Sequence, residues 1–177
     1  MTEALIIVDM QRRWIGAETP LFPEADDAVR AINLLRDRCA AHSYPVFHVT
    51  MAELAGSPME REEAEIIPEL APRSHEFHVT KRRYSAFFGT DLRDRLAECG
   101  VTRVTVVGYQ MRACVFASAL DAYQHDLKTE VVSEATLETD AAYREMYLRI
   151  LQDAEILVPL HTVLARGTRQ MEAMPPP

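Results

Sequence analysis

Ala4-Leu5-Ile6-Ile7-Val8-Asp9 is a run of five apolar residues followed at once by a carboxylate. A short unbroken apolar run rich in β-branched residues predicts a strand buried on both faces, the habit of strands in a parallel sheet. The signature returns at residues 104–107, ending at Gly108, and at 46–49, just after Pro45. Fainter versions lie at 77–80, 129–132 and 156–158, which makes six candidate strands. Helical spacing fills the gaps. Ala28, Ile32, Leu35 and Cys39 share one helical face. Leu92, Leu96 and Cys99 share another, with Thr90 as the expected N-cap and Gly100 as the stop. Residues 115–125 are Ala-rich without Gly or Pro, and Tyr143, Met146, Tyr147, Ile150 and Leu151 make a further apolar stripe. Strands alternating with helices imply right-handed βαβ units, hence an α/β fold with helices on both faces of a mainly parallel sheet.

The rest of the chain narrows the class. Its 177 residues suit one domain, spanning 1–177. Hydrophobic residues at 48 % and charged residues at 26 % exclude a disordered chain. Lys and Arg number 19 against 27 Asp and Glu, a net charge of −8, which argues against a nucleic-acid partner. The N-terminal apolar run is too short for a signal peptide or a membrane span, so no membrane partner and a cytoplasmic location are expected. Three cysteines make no disulfide framework and fit a reducing compartment. Residues 52–73 carry Pro58, Pro68 and Pro72 and the acidic run Glu60, Glu62, Glu63 and Glu65. They read as a surface excursion: a lid, a subunit contact or a solvated connection. Residues 166–177, ending in three prolines, read as a loose tail.

Open parallel sheets build sites where strands end at their C-terminal edge. Asp9 ends the first strand, Lys81 follows the strand at 77–80, and Cys114 stands six residues past Gly108, where strand turns into helix. A thiol attacks as thiolate, and a helix N-terminus with a nearby cation lowers its pKa; Lys81 is the expected cation. Asp9, costly behind five apolar residues unless paired or used, is the expected proton acceptor. Cys39 and Cys99 fall on apolar helical stripes and read as packing.

Three ordered motifs carry a resemblance. They are Val8-Asp9-Met10-Gln11 with Trp14; Lys81-Arg82-Arg83-Tyr84-Ser85-Ala86-Phe87 with Phe88-Gly89-Thr90-Asp91-Leu92; and Val106-Val107-Gly108, then Cys114-Val115 with Ala119-Leu120-Asp121-Ala122. Over nearly its full length the chain resembles the isochorismatase-like cysteine hydrolases. The resemblance implies a three-layer αβα fold with a six-stranded, mainly parallel sheet of Rossmann-like order, and homo-oligomers. It implies a catalytic triad of Asp9, Lys81 and Cys114. It also implies a cis peptide between Tyr109 and Gln110 that aims backbone N–H groups, those of Gln110 and Cys114, at an oxyanion.

The expected reaction is hydrolysis of a C–N bond, amide or ureide, in a small molecule through a Cys114 thioester. Isochorismatase-type vinyl-ether hydrolysis, a thiol-redox role and a non-catalytic protein on the same fold are the alternatives. Trp14, Tyr84 and Phe116 neighbour triad elements and are pocket candidates, and Arg112 is a candidate partner for an anionic substrate. The loop Tyr109-Gln110-Met111-Arg112-Ala113 departs from the family, which often carries Thr where Met111 stands. The region His48-Val49-Thr50-Met51-Ala52-Glu53 lacks the metal-ligand spacing of nicotinamidases. No metal and no cofactor are therefore expected.

Overall fold

The computed structural model describes residues 2–16, 22–54, 57–58 and 60–166. In chain order the elements are β1 (Thr2–Val8), α1 (Phe22–Ala41), β2 (Val46–Met51), β3 (Glu53–Leu54), β4 (Ser57–Pro58), α2 (Arg61–Ala64) and β5 (Phe77–Lys81). There follow α3 (Leu92–Glu98), β6 (Val101–Tyr109), α4 (Phe116–Gln124), β7 (Lys128–Leu137), α5 (Ala141–Asp153), β8 (Leu157–Val158) and α6 (Leu160–Leu164). Six strands form one sheet in the order β5-β2-β1-β6-β7-β8, and every neighbouring pair is parallel. The chain builds outward from β1 in one direction, returns, and builds outward from β6 in the other. That reversal puts a topological switch point between β1 and β6, the place where open α/β sheets hold their ligands.

The alternation of β1 shows why its sequence reads as uniformly apolar. Ala4, Ile6 and Val8 enter the core under α3, α4 and α5, among Leu92, Leu96, Ala119 and Leu151. Leu5 and Ile7 enter the opposite core, among Ala28, Ile32, Leu35 and Cys39 of α1 and Val163 of α6. Both faces are covered, so neither carries polar residues. β5 is an edge strand that buries only Val79 and Lys81, which accounts for its fainter signature. The strands expected at 129–132 and 156–158 are found, but β7 runs on to Leu137 and β8 is two residues long.

The helices differ from expectation in three places. α3 has Asp91, not Thr90, at its N-cap position; the Thr90 hydroxyl still accepts from Leu92 N–H at 3.3 Å. The helix expected from 115 is entered through one π turn, Met111–Val115. The stripe on α5 divides: Leu151 is buried, whereas Tyr143, Met146 and Ile150 face solvent. A stripe at helical spacing specifies one apolar face but not what covers it.

In the 52–73 segment the described residues from 60 onward are mostly exposed, α2 burying none, but a few of them anchor the segment. Ile67 and Leu70 are buried, Ile66 bridges Gln11, and the amides of Arg12 and Arg13 donate to the carbonyls of Glu65 and Glu63. The segment is thus sewn to the turn that follows β1. Of the expected tail, Arg166 pairs with Glu130 at 2.6 Å and Glu3 at 3.5 Å; residues 167–177 lie outside the described residues. Among the described residues no helix is long and apolar enough to cross a membrane.

Candidate functional site

At the switch point two backbones nearly touch. A Cβ on Gly108 would stand 2.2 Å from the Val8 carbonyl oxygen, and Gly108 has φ of +112°. Only glycine fits that approach, which draws the ends of β1 and β6 together. Directly after Val8, Asp9 adopts φ of +51°, a left-handed conformation that Asp tolerates better than most residues. Its amide still donates to Val49 at 2.8 Å, while the chain leaves the sheet and Gln11 N–H closes the turn onto Asp9 carbonyl oxygen. The Gln11 side chain then ties this turn to the end of β2: its Oε1 accepts from Met51 N–H and its Nε2 donates to Met51 carbonyl oxygen.

Lys81, at the end of β5, reaches across to the same spot. Its Nζ donates to Asp9 Oδ2 at 2.7 Å and to the carbonyl oxygen of Arg83 at 3.2 Å, and stands 3.2 Å from Cys114 Sγ. All three side chains are buried, with Asp9 at 2 %, Lys81 at 1 % and Cys114 at 7 % exposure. Asp9 Oδ1 is not engaged by Lys81, and the Cys114 thiol beside the carboxyl is placed to donate to it. Cys114 sits in the π turn, where the amides of Ala113 and Val115 both donate to the Gln110 carbonyl oxygen. Its own carbonyl oxygen accepts from Ser118 Oγ at 2.6 Å, and that hydroxyl accepts from Ala86 N–H, which fastens the loop after Lys81. The Tyr109–Gln110 peptide is cis.

The electrostatics differ from the sequence expectation. Burial first and the neighbouring Asp9 charge second push the Cys114 thiol up to about 12, more than Lys81 can offset. Burial likewise raises the Asp9 carboxyl, against the pull of Lys81. Lys81 does lower the thiol, as expected, but burial and the Asp9 charge outweigh it. In the resting site the sulfur therefore holds its proton, beside a carboxylate oxygen that Lys81 does not engage.

Asp9 and Cys114 open onto a cavity of about 500 Å³. Trp14, Tyr84, Phe116 and Arg112 all line it, joined by Met51 and Tyr109. Trp14 stacks on Tyr109 at 5.7 Å, and Phe116 meets Tyr147 edge-on at 5.1 Å. The Arg112 guanidinium lies 4.4 Å over the Tyr143 ring and 3.7 Å from Glu138 Oε1, so its charge is already met. Met111 is fully buried in the core beneath α4, so at this position the loop supplies packing and not a polar group. Two clefts of about 540 and 610 Å³ lie elsewhere. The first includes Cys99 and His75 but neither a lysine nor a carboxylate, and the second has no cysteine.

Sequence reasoning missed Glu138 and the tying role of Gln11. The Glu138 carboxylate, buried just past β7, accepts from Gln110 Nε2 at 2.8 Å, Arg112 N–H at 3.1 Å and Thr139 N–H at 2.9 Å. It fixes the loop that carries Cys114. The signal was the one that singled out Asp9, an acid after a strand, but the strand had been ended too early, at residue 132. Among the described residues no group of three His, Cys, Asp or Glu converges as a metal site.

Residues 3–159 match the Isochorismatase domain family model. A phenazine biosynthesis protein of Pseudomonas aeruginosa is 34 % identical over 95 residues, 54 % of this chain and 44 % of that protein. The chain spans about half the length of the curated relatives it matches. An isochorismatase family protein from Desulfovibrio vulgaris superposes with a TM-score of 0.83 at 30 % identity, over 93 % of this chain and 99 % of that one. An N-carbamoylsarcosine amidase from Thermoplasma acidophilum shares the fold, with a TM-score of 0.73 at 24 % identity over 86 % and 94 %.

Proposed function

Because this chain belongs to the isochorismatase family, and so to its hydrolases, we propose that it cleaves a C–N bond of a small amide or ureide, with Cys114 as nucleophile. The observation that carries the reading is the buried contact of Asp9, Lys81 and Cys114 at the wall of a cavity. The amidase likeness supports the bond type, as does a second fold neighbour, a nicotinamidase from Staphylococcus aureus.

The chemistry follows from the charges. Asp9 takes the thiol proton on Oδ1 as Sγ bonds to the substrate carbonyl carbon, and the C=O π pair moves onto oxygen. Backbone N–H groups of Gln110 and Cys114 hold the oxyanion. The oxyanion collapses, the C–N bond breaks, and the nitrogen leaves with the proton from Asp9. A thioester remains. Water then attacks it, giving one proton to Asp9; the carboxylic acid departs as the C–S bond breaks, and the sulfur recovers that proton. Lys81, bonded to Asp9 at 2.7 Å and 3.2 Å from the sulfur, steadies Asp9 and the developing thiolate. No cofactor enters, and the setting is cytoplasmic.

A panel of amides and ureides, incubated with wild type and with Cys114→Ala, tests this. Turnover by wild type and its loss in the variant are expected. Turnover that survives Cys114→Ala refutes the thioester route and favours the second reading, vinyl-ether hydrolysis with Asp9 as acid, which relatives named as isochorismatases motivate.

A further inference from the structure

Resting on the C–N reading above, we propose that the acyl portion of the substrate is apolar and uncharged, and that Glu138, acting through Arg112, excludes amides and ureides that carry a carboxylate. Among the described residues lining the Cys114 cavity, Asp9 and Arg112 are the charged ones. Each is already matched. Lys81 Nζ donates to Asp9 Oδ2 at 2.7 Å, and that pair carries no net charge wherever its proton lies. Glu138 Oε1 stands 3.7 Å from the Arg112 guanidinium, so the second pair is neutral as well.

Arg112 is the side chain that an anionic substrate would seek. Its guanidinium lies 4.4 Å over the Tyr143 ring, and one third of the side chain is exposed. Unpaired, a guanidinium so held would fork onto a carboxylate. The Glu138 side chain behind it is wholly shielded from solvent. It accepts from Gln110 Nε2, from Arg112 N–H and from Thr139 N–H, and it would lose all three bonds by moving aside. A substrate carboxylate drawn to Arg112 therefore meets a fixed charge of its own sign. It would also lose its water without an unpaired cation to replace it. The remaining wall suits an apolar group: Trp14, Tyr84, Tyr109, Phe116 and Met51 offer aromatic and thioether surface.

Trp14 is the only tryptophan of the chain and lines the cavity, so its fluorescence reports occupancy. Three amides of one shape serve as probes: para-methylbenzamide is neutral, para-carboxybenzamide anionic and para-aminomethylbenzamide cationic. Titrations are run on Cys114→Ala protein, where binding is read without cleavage. Charge selection can then fail while the thioester route holds, and the reverse.

The neutral probe should bind tighter than the carboxylate by roughly tenfold, the scale of one contact to a charged group. Adding Glu138→Gln should shrink or reverse that ratio, because Arg112 is then unpaired. Adding Arg112→Gln instead should widen it and favour the cationic probe over the neutral one, because the Glu138 charge is then unmatched. A ratio of affinities cancels any general loosening of the loop, which a purely structural role for Glu138 would produce. A carboxylate probe that binds as tightly as the neutral one would overturn the proposal. So would a ratio that neither substitution moves, or a neutral probe that does not bind.

Discussion

Replacing Asp9 by Asn should make Cys114 more reactive toward alkylating agents while it abolishes turnover. In the wild type the Lys81 ammonium, 3.2 Å from Cys114 Sγ, is held by the carboxylate at 2.7 Å. The thiol stands at about 12, through burial first and the Asp9 charge second. Asn removes that charge, so Lys81, still bonded to the Arg83 carbonyl oxygen, acts on the sulfur without an opposing carboxylate. The Lys81 attraction already acts in the wild type, so the gain is the lost repulsion between Asp9 and the thiolate, second only to burial in raising the thiol. Relief of one pK unit, ~1.4 kcal/mol, raises the thiolate fraction at neutral pH tenfold. The assay is the rate of iodoacetamide labelling at Cys114, resolved from Cys39 and Cys99 by peptide mass. Hydrolysis of the best amide substrate is followed in parallel and should fall by roughly 10²–10⁴, the usual contribution of a general base. In the resting wild type, Cys114 should label no faster than the more accessible Cys99. A D9N protein that labels no faster than wild type would refute the argument, because the Asp9 charge would then not be raising the thiol.

Two further outcomes test the framework. Gly108→Ala must accommodate a Cβ 2.2 Å from Val8 carbonyl oxygen at φ of +112°. It should cost about 3–5 kcal/mol, in the range of severe overpacking and strain, and lower Tm by roughly 6–20 °C; a smaller drop would mean that β1 and β6 part easily. Acid should unfold the protein partly through Glu76. Burial alone would raise that carboxyl, but Arg36, the Arg73 amide and His48 bring it down to about 2. Its folded value lies below the ordinary 4.5, so it stabilises above that pH, and about 3 kcal/mol is lost as pH falls toward 2. His48, held neutral by burial, adds a loss of the same sign below its ordinary 6.5. Stability measured in urea against pH should be flatter in Glu76→Gln; an unchanged slope would count against the ion-pair account.

Much of the fold was legible because a strand covered on both faces is mostly apolar, and the centres of β1, β2 and β6 are so, with His48, Thr50 and Thr105 the buried polar exceptions. The three polar side chains of the site were legible because each ends or follows a strand at one edge of the sheet. Glu138 was not, since Ser133 and Glu134 interrupt the apolar run of β7 and hide its true end. The α5 stripe misled for a different reason: periodicity reports a shared face and is silent about its neighbour.

The chain's own order of residues determined the layered α/β class, the βαβ succession and the identity of an acid, a lysine and a thiol at strand ends, because these depend on local patterns of burial and spacing. Only the tertiary structure decided how Asp9 and Cys114 titrate, because that depends on distances between β1, β5 and the turn after β6. Lys81 lies closer to Asp9 than to Cys114, and all three are buried. The cation therefore serves the carboxylate first, and the thiol keeps its proton until a reaction calls for it.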